Sequence, residues 1–209
     1  MNQSLSFVAL AVALSGCAGH SQYMVEAPAD TPRVAPAPNV ATVVFIRESG
    51  FAFAVNFAIV DQASNFLGEA VAQSHFAIQV PPGQYFFIAR GGEGTDMVRA
   101  QLAAGNLYVV RVMPRMGLWQ ASVMLDPIKR SEPEWSSVPR WLAESHRLLQ
   151  LTTAPQYAAT GSPSNSLAAR LWAEVDDKAA RTLEAADGTA SPLPLPPPPK
   201  LPSAPHRAG

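Results

Sequence analysis

From Thr42 to about Leu125 the chain alternates apolar and polar positions with a period of two, the signature of strands that cover a core with one face. Thr42-Val43-Val44-Phe45-Ile46-Arg47 is a β-rich run. After Ser49-Gly50 the alternation places Phe51, Phe53, Val55, Phe57 and Ile59 on one side and Ala52, Ala54, Asn56 and Ala58 on the other, which predicts a strand with Phe51 to Ile59 buried. Phe76, Ile78 and Val80 alternate next and stop at Pro81-Pro82-Gly83-Gln84, where proline presets φ and glycine permits a turn. Strands follow at Tyr85–Arg90, Met97–Leu102 and Leu107–Met113, with a turn at Ala104-Gly105-Asn106. Trp119, Ala121, Val123 and Leu125 close the series. About seven short strands with marked turns imply a mainly β fold, an antiparallel β-sandwich or small barrel.

The period then changes. Ser137 followed by Pro139 predicts a helix over 138–150 that buries Trp141, Leu142, Leu148 and Leu149. Ser162-Pro163 predicts a second, carrying Leu167, Leu171, Val175, Ala179 and Leu183 to a stop at Gly188. Its polar face holds Glu174, Asp176 and Asp177, so it suits packing against protein better than a membrane surface. Prolines mark the boundaries. Pro28, Pro32, Pro36 and Pro38 interrupt a stretch without apolar periodicity, and Pro192, Pro194, Pro196 to Pro199, Pro202 and Pro205 crowd the C-terminus. The expected organisation is a tether at 17–41, a sandwich at 42–127, a helical region at 128–188 and a disordered Pro-rich tail at 189–209. A flexible tether of that length spans about 27 Å, and a polyproline path about 75 Å.

The N-terminus has its own pattern. Phe7 to Leu14 is an uncharged apolar run, too short to cross a bilayer, and it ends in Leu14-Ser15-Gly16-Cys17. This resembles the lipobox of bacterial lipoproteins, and the resemblance implies removal of residues 1–16 as a signal peptide and lipidation of Cys17. More than one acyl chain makes such an anchor stable, whereas a single chain holds only marginally. Cys17 is the sole cysteine, so the chain has no internal disulfide, and lipidation accounts for a lone exported thiol. Met1 to Ser6 contains no Lys or Arg, which departs from the usual signal pattern. Ala18 after the cysteine, where enterobacterial inner-membrane lipoproteins carry Asp, implies an outer-membrane location facing the periplasm.

Charge excludes one class. The chain carries a net −1, and its 15 basic residues are scattered, so it lacks the stripe that neutralises nucleic-acid phosphates. Catalytic groups are sparse. His20 and His206 fall in the tether and tail, and His75 alternates away from Phe76 and Ile78, an outward position expected to face solvent. With Cys17 committed to lipid, no zinc ligand set emerges. Arg90-Gly91-Gly92-Glu93-Gly94 lacks the Lys-Ser/Thr of a phosphate loop and reads as a hairpin. Met113-Pro114-Arg115-Met116, with Met97 and Met124, reads as core filler rather than copper ligands. Pro194-Leu195-Pro196-Pro197 has the outline of a PxxP ligand but reads as a spacer. Arg47, closing an apolar strand, is expected to pair with a carboxylate. No catalytic, cofactor or metal residues are assigned, and Pro82, Gly83 and Gly105 are assigned as structural turns.

Val44-Phe45-Ile46-Arg47, Val80-Pro81-Pro82-Gly83 and Gly105-Asn106-Leu107-Tyr108-Val109 resemble a family of small bacterial lipoprotein domains of unknown function. The resemblance covers residues 42–127 and implies a β-sandwich without catalytic residues. The expected function is a lipid-anchored, non-enzymatic module of the cell envelope that binds or scaffolds an envelope protein partner. The alternative is a hydrolase acting on envelope material, which requires Asp61 with Glu69, or Glu93 with Asp96, to converge in a cleft.

Overall fold

The computed structural model describes residues 21–63, 65–92, 94–151 and 181–183. The fold is mainly β, with two sheets packed on one core. The first sheet contains β1 (Met24–Glu26), β2 (Ala41–Arg47), β5 (Ser74–Val80), β8 (Leu107–Met116), β9 (Ala121–Ile128) and β10 (His146–Gln150), in the order β1-β10-β5-β2-β8-β9. The second contains β3 (Phe57–Asp61), β4 (Phe66–Ala70), β6 (Gly83–Gly91), β7 (Gly94–Leu102) and β11 (Arg181–Leu183), in the order β11-β7-β6-β3-β4. Eleven strands are therefore described where about seven were expected. The sheets are mixed rather than purely antiparallel, because β2 pairs with β8, β10 with β5 and β11 with β7 in parallel.

The two-residue period sets the facing. Val43 and Phe45 of β2, Phe76 of β5 and Val110 and Val112 of β8 meet Phe57 and Ile59 of β3, Phe87 of β6 and Val98 of β7 in the central core. Phe45 stacks on Phe76 at 5.2 Å and meets the edge of Phe87 at 5.4 Å, both within the favourable range for aromatic pairs. β2 is buried on both sides. Its outward Ile46 packs with Val109, Ile128 and Val138 in a second cluster, roofed by Trp135, Trp141 and Leu142. That roof is a 3-10 turn at Pro133–Ser137 followed by α1 (Val138–Glu144).

Several expectations change. The alternation at Phe51–Ile59 is a strand only from Phe57 onward, and Phe51 and Phe53 are exposed. The cause is Arg47, which is wholly buried and among the described residues does not pair with a carboxylate. Its guanidinium donates instead to the carbonyls of Val55 at 2.6 Å, Phe51 and Ala52 at 2.8 Å, and Ala70 at 3.1 Å. Those bonds bend residues 51–55 into a loop, in which Ala52 takes the left-handed φ of 53°. Burial lowers the Arg47 pKa to about 10, so the group remains charged at neutral pH and the carbonyl dipoles carry its compensation.

The expected helix over 138–150 ends at Glu144. Ser145 is already extended, and His146–Gln150 continues as β10. Tertiary pairing outweighs helix propensity here, because β5 otherwise presents an unpaired edge. β10 covers that edge, and β1 pairs along its other side from Met24–Gln150 to Glu26–Leu148. Residues 21–41, expected as tether, accordingly lie on the fold: Ser21 and Met24 are buried. The second helix and the Pro-rich tail lie outside the described residues, except that Arg181–Leu183 is strand rather than helix.

All three motifs of the family resemblance have structural work. Arg47 is the loop clamp. Pro81-Pro82 carries the chain from β5 in one sheet to Gly83 at the start of β6 in the other. Gly105 takes φ 78° between β7 and β8, and buried Tyr108 accepts a hydrogen bond from the Ala103 N–H at 2.9 Å.

Candidate functional site

Of the carboxylate pairs proposed for hydrolysis, Asp61 and Glu69 do not converge. Asp61 accepts from the N–H groups of Ala63 and Asn65 and from the Asn65 side chain, which closes the turn after β3. Glu69 lies opposite Ala58, toward the other end of β3, where its Oε2 accepts from Ser21 Oγ at 2.6 Å. Asp96 caps the Leu125 N–H at 2.7 Å, and Glu93 lies outside the described residues. Met97 and Met124 are buried whereas Met116 is exposed, so the methionines do not form one ligand set. Among the described residues no group of three or more His, Cys, Asp or Glu side chains is gathered to hold a metal.

A cleft of about 550 Å³ opens instead between α1, the outer face of the first sheet and the strap formed by residues 31–34. Its walls are Val34, Leu107, Trp135, Val138 and Leu142. Each wall has a local cause. Pro139 starts α1 within its first turn, where its missing N–H costs nothing, and this lays Leu142 over the sheet. The strap is held by the Ala27 N–H bonded to the Arg147 carbonyl at 2.8 Å, by Arg147 Nη1 donating to the Pro32 carbonyl, and by Thr42 Oγ1 donating to the Ala35 carbonyl. A neighbouring cleft of about 530 Å³ shares Arg33, Val34 and Arg147, so the groove continues along the strap.

His75 is at this site. Its outward position on β5 is as the alternation expected, but it is buried rather than solvated, because α1 and the strap cover that face. Nδ1 lies 2.8 Å from Ser145 Oγ. Burial first, and the charge of Arg147 second, push the imidazole from 6.5 down to about 4. Below 6.5 the unfolded chain takes up a proton that folded His75 refuses until about 4, so stability falls as pH drops through that window. The full shift corresponds to about 3 kcal/mol, and solvent at the cleft mouth reduces the expected loss to about 2 kcal/mol. Urea melts of wild type and His75→Gln between about pH 7 and about pH 4 test this: the wild type should lose that much more than the variant. Parallel curves would refute it.

Ser145 and His75 have the spacing of a nucleophile and its base, but the surroundings weaken that chemistry. A base whose pKa is about 4 removes a serine proton poorly, and among the described residues no Asp or Glu lines the cleft to orient it. The neighbouring amides are engaged, with the Ser145 N–H bonded to the Trp141 carbonyl and the His146 N–H to the Gln73 carbonyl. The electrostatics favour holding an anion. Arg33 and Arg147 line the cleft, and Arg147 Nε is buried without a hydrogen-bond partner among the described residues. Sequence reasoning missed this site because its parts come from four separated segments, and only the outward parity of His75 pointed toward it. Comparison with known proteins yields no match to a family model, a curated protein or a solved structure, so the reading of function rests on geometry.

Proposed function

We propose that the chain is a lipid-anchored module of the bacterial cell envelope, held through Cys17 and facing the periplasm from the outer membrane. It binds an envelope protein partner in the groove beneath α1. The observation that carries the binding reading is an apolar cleft whose lining holds two arginines, one presenting a buried N–H unpartnered among the described residues, and no carboxylate among the described residues. Such a site suits a partner segment with apolar side chains and one acidic group, since a charge-assisted bond to Arg147 would satisfy a donor otherwise left dry. The lipobox at Leu14-Ser15-Gly16-Cys17 supports the anchoring. Among the described residues no helix is long and apolar enough to cross a membrane.

A photo-crosslinking residue at exposed Ala143, which lines the cleft, tests the reading in the full lipidated chain. A discrete protein adduct is expected in the host envelope, and Arg33→Glu should reduce its yield about tenfold by removing attraction for the acidic group. An absent adduct, or one indifferent to Arg33→Glu, overturns it. The hydrolase alternative has one observation in its favour, the Ser145–His75 contact at 2.8 Å. Covalent labelling by a fluorophosphonate that disappears in Ser145→Ala would establish that reading instead.

A further inference from the structure

β2 and β8 run parallel with Ile46 opposite Arg111, so β8 extends to Met116 beyond the end of β2, and the β8–β9 hairpin projects at the Arg47 end of the fold. The β6–β7 hairpin closes at Gly91–Gly94 at this end too, since Arg90 lies opposite Ala58 near the start of β3. Gly92, at φ 58°, sits directly against the Ala121 carbonyl, and Gly94 against Ser122, which locks the two hairpins together. The Arg47-clamped loop completes this end.

Large apolar side chains are exposed there from two loops: Phe51 at 48%, Phe53 at 56%, Met116 at 82%, Leu118 at 84% and Trp119 at 88%. Only Val25 and Leu149 are otherwise exposed large hydrophobics among the described residues. Arg115 is exposed beside them. A concentration of this kind marks a contact surface.

The N-terminus arrives at the same end. Ser21 is buried, donates to Glu69 Oε2 at 2.6 Å and accepts from the N–H groups of Tyr23 and Met24. Asn56, which ends the loop bearing Phe51 and Phe53, reaches the same Glu69 oxygen at 3.5 Å. Cys17 precedes Ser21 by four residues, so at full extension only roughly 14 Å of chain separates the lipid attachment from a fixed point on the fold.

We infer that the Arg47 end of the fold lies on the membrane leaflet that holds the Cys17 lipid, with Phe51, Phe53 and the Met116–Trp119 tip inserted at the boundary between headgroups and acyl chains. The inference rests on the lipid anchoring proposed above and adds a contact face to it. The short leash favours a bilayer as the occupant, because it brings this surface to the membrane without searching. Aromatic side chains partition to that boundary, and Arg115 is placed to meet anionic headgroups. The groove beneath α1, on the outer face of the first sheet, would then stand at the side of the anchored domain.

The full lipidated chain, reconstituted in vesicles of phosphatidylethanolamine and phosphatidylglycerol, provides the test. Lipidation consumes the Cys17 thiol, so Phe53→Cys, Met116→Cys or Gln79→Cys each supplies a single site for an environment-sensitive fluorophore; Gln79 is exposed and lies opposite Thr42, at the far end of β2. Labels at 53 and 116 should shift to the blue and lose at least about half their emission to a nitroxide-bearing lipid, while the label at 79 should stay aqueous. Intact mass of the same preparation reads the lipid on Cys17. A lipidated chain with water-exposed labels at 53 or 116 overturns this inference and leaves the anchoring intact. Labels shielded from water yet untouched by the quencher overturn it in favour of a protein or a second copy on that face. An unmodified Cys17 overturns both readings.

Discussion

Replacing Arg47 with methionine is expected to destabilise the domain by about 3 kcal/mol and to release the loop at residues 51–55. The methionine fills much of the same space, so the loss comes from the guanidinium's bonds to the carbonyls of Phe51, Val55 and buried Ala70. The gain from no longer burying a cation offsets part of that cost, which is why the expected figure stays below the sum of the broken bonds. The Ala52 carbonyl suffers less, because the Val55 N–H also reaches it at 3.0 Å. Arg47→Lys keeps the charge but lacks the planar fork that serves two nitrogens at once, so it should recover only part of the stability. Urea unfolding of the three proteins reads these differences. An Arg47→Met variant within about 0.5 kcal/mol of wild type would show that the clamp is not needed. A second consequence is functional: in Arg47→Met the label at position 53 should lose its fixed depth, since the loop that presents Phe51 and Phe53 is held from beneath by this side chain.

Truncating Phe57 to alanine is expected to cost about 3–5 kcal/mol, the range for deleting a buried aromatic ring. Phe57 has no exposed surface, and the Arg47 guanidinium lies over its ring at 5.0 Å from the centroid. The void left behind therefore removes core packing and a cation–π contact together. Phe57→Asp is the poorer test of which way β3 faces, because the new carboxylate would lie beside buried Arg47 and gain a partner there. Phe53→Ala supplies the contrast. Its ring is exposed in the folded domain, so its melting midpoint should be nearly unchanged in solution. If Phe57→Ala also melts like wild type, the core is assigned wrongly.

The contrast between these two phenylalanines marks where pattern reading succeeds and where it stops. Both belong to one unbroken alternation, yet Phe57 is central to the core and Phe53 is not. Alternation reports what a strand would bury; it does not report that Arg47 gathers the next loop's carbonyls and prevents a strand from starting. β4 shows a related limit. Phe66-Leu67-Gly68-Glu69-Ala70 carries a glycine that weakens any strand signal, and the Phe76 ring lies so close to Gly68 that a side chain there would collide with it. Trp119 is a third case, continuing the parity of Ala121, Val123 and Leu125 on paper but lying in the exposed hairpin tip between β8 and β9.

What the sequence determined by itself is therefore local: the mainly β class, the facing of β5 and of Phe57 and Ile59 in β3, and the turn at Gly105. Side-chain parity and turn chemistry act between near neighbours, so the chain displays them directly. Tertiary structure alone decided the rest. His146–Gln150 is helix or strand according to whether an open edge of β5 waits for it, and Arg47 is a clamp rather than an ion-pair partner because four carbonyls surround it. His75 is dry because α1 and the strap cover its face, and Ser21 is fixed because Glu69 meets it from 48 residues away. Each depends on contacts between distant segments, whose energies exist only once the two sheets have closed on their core.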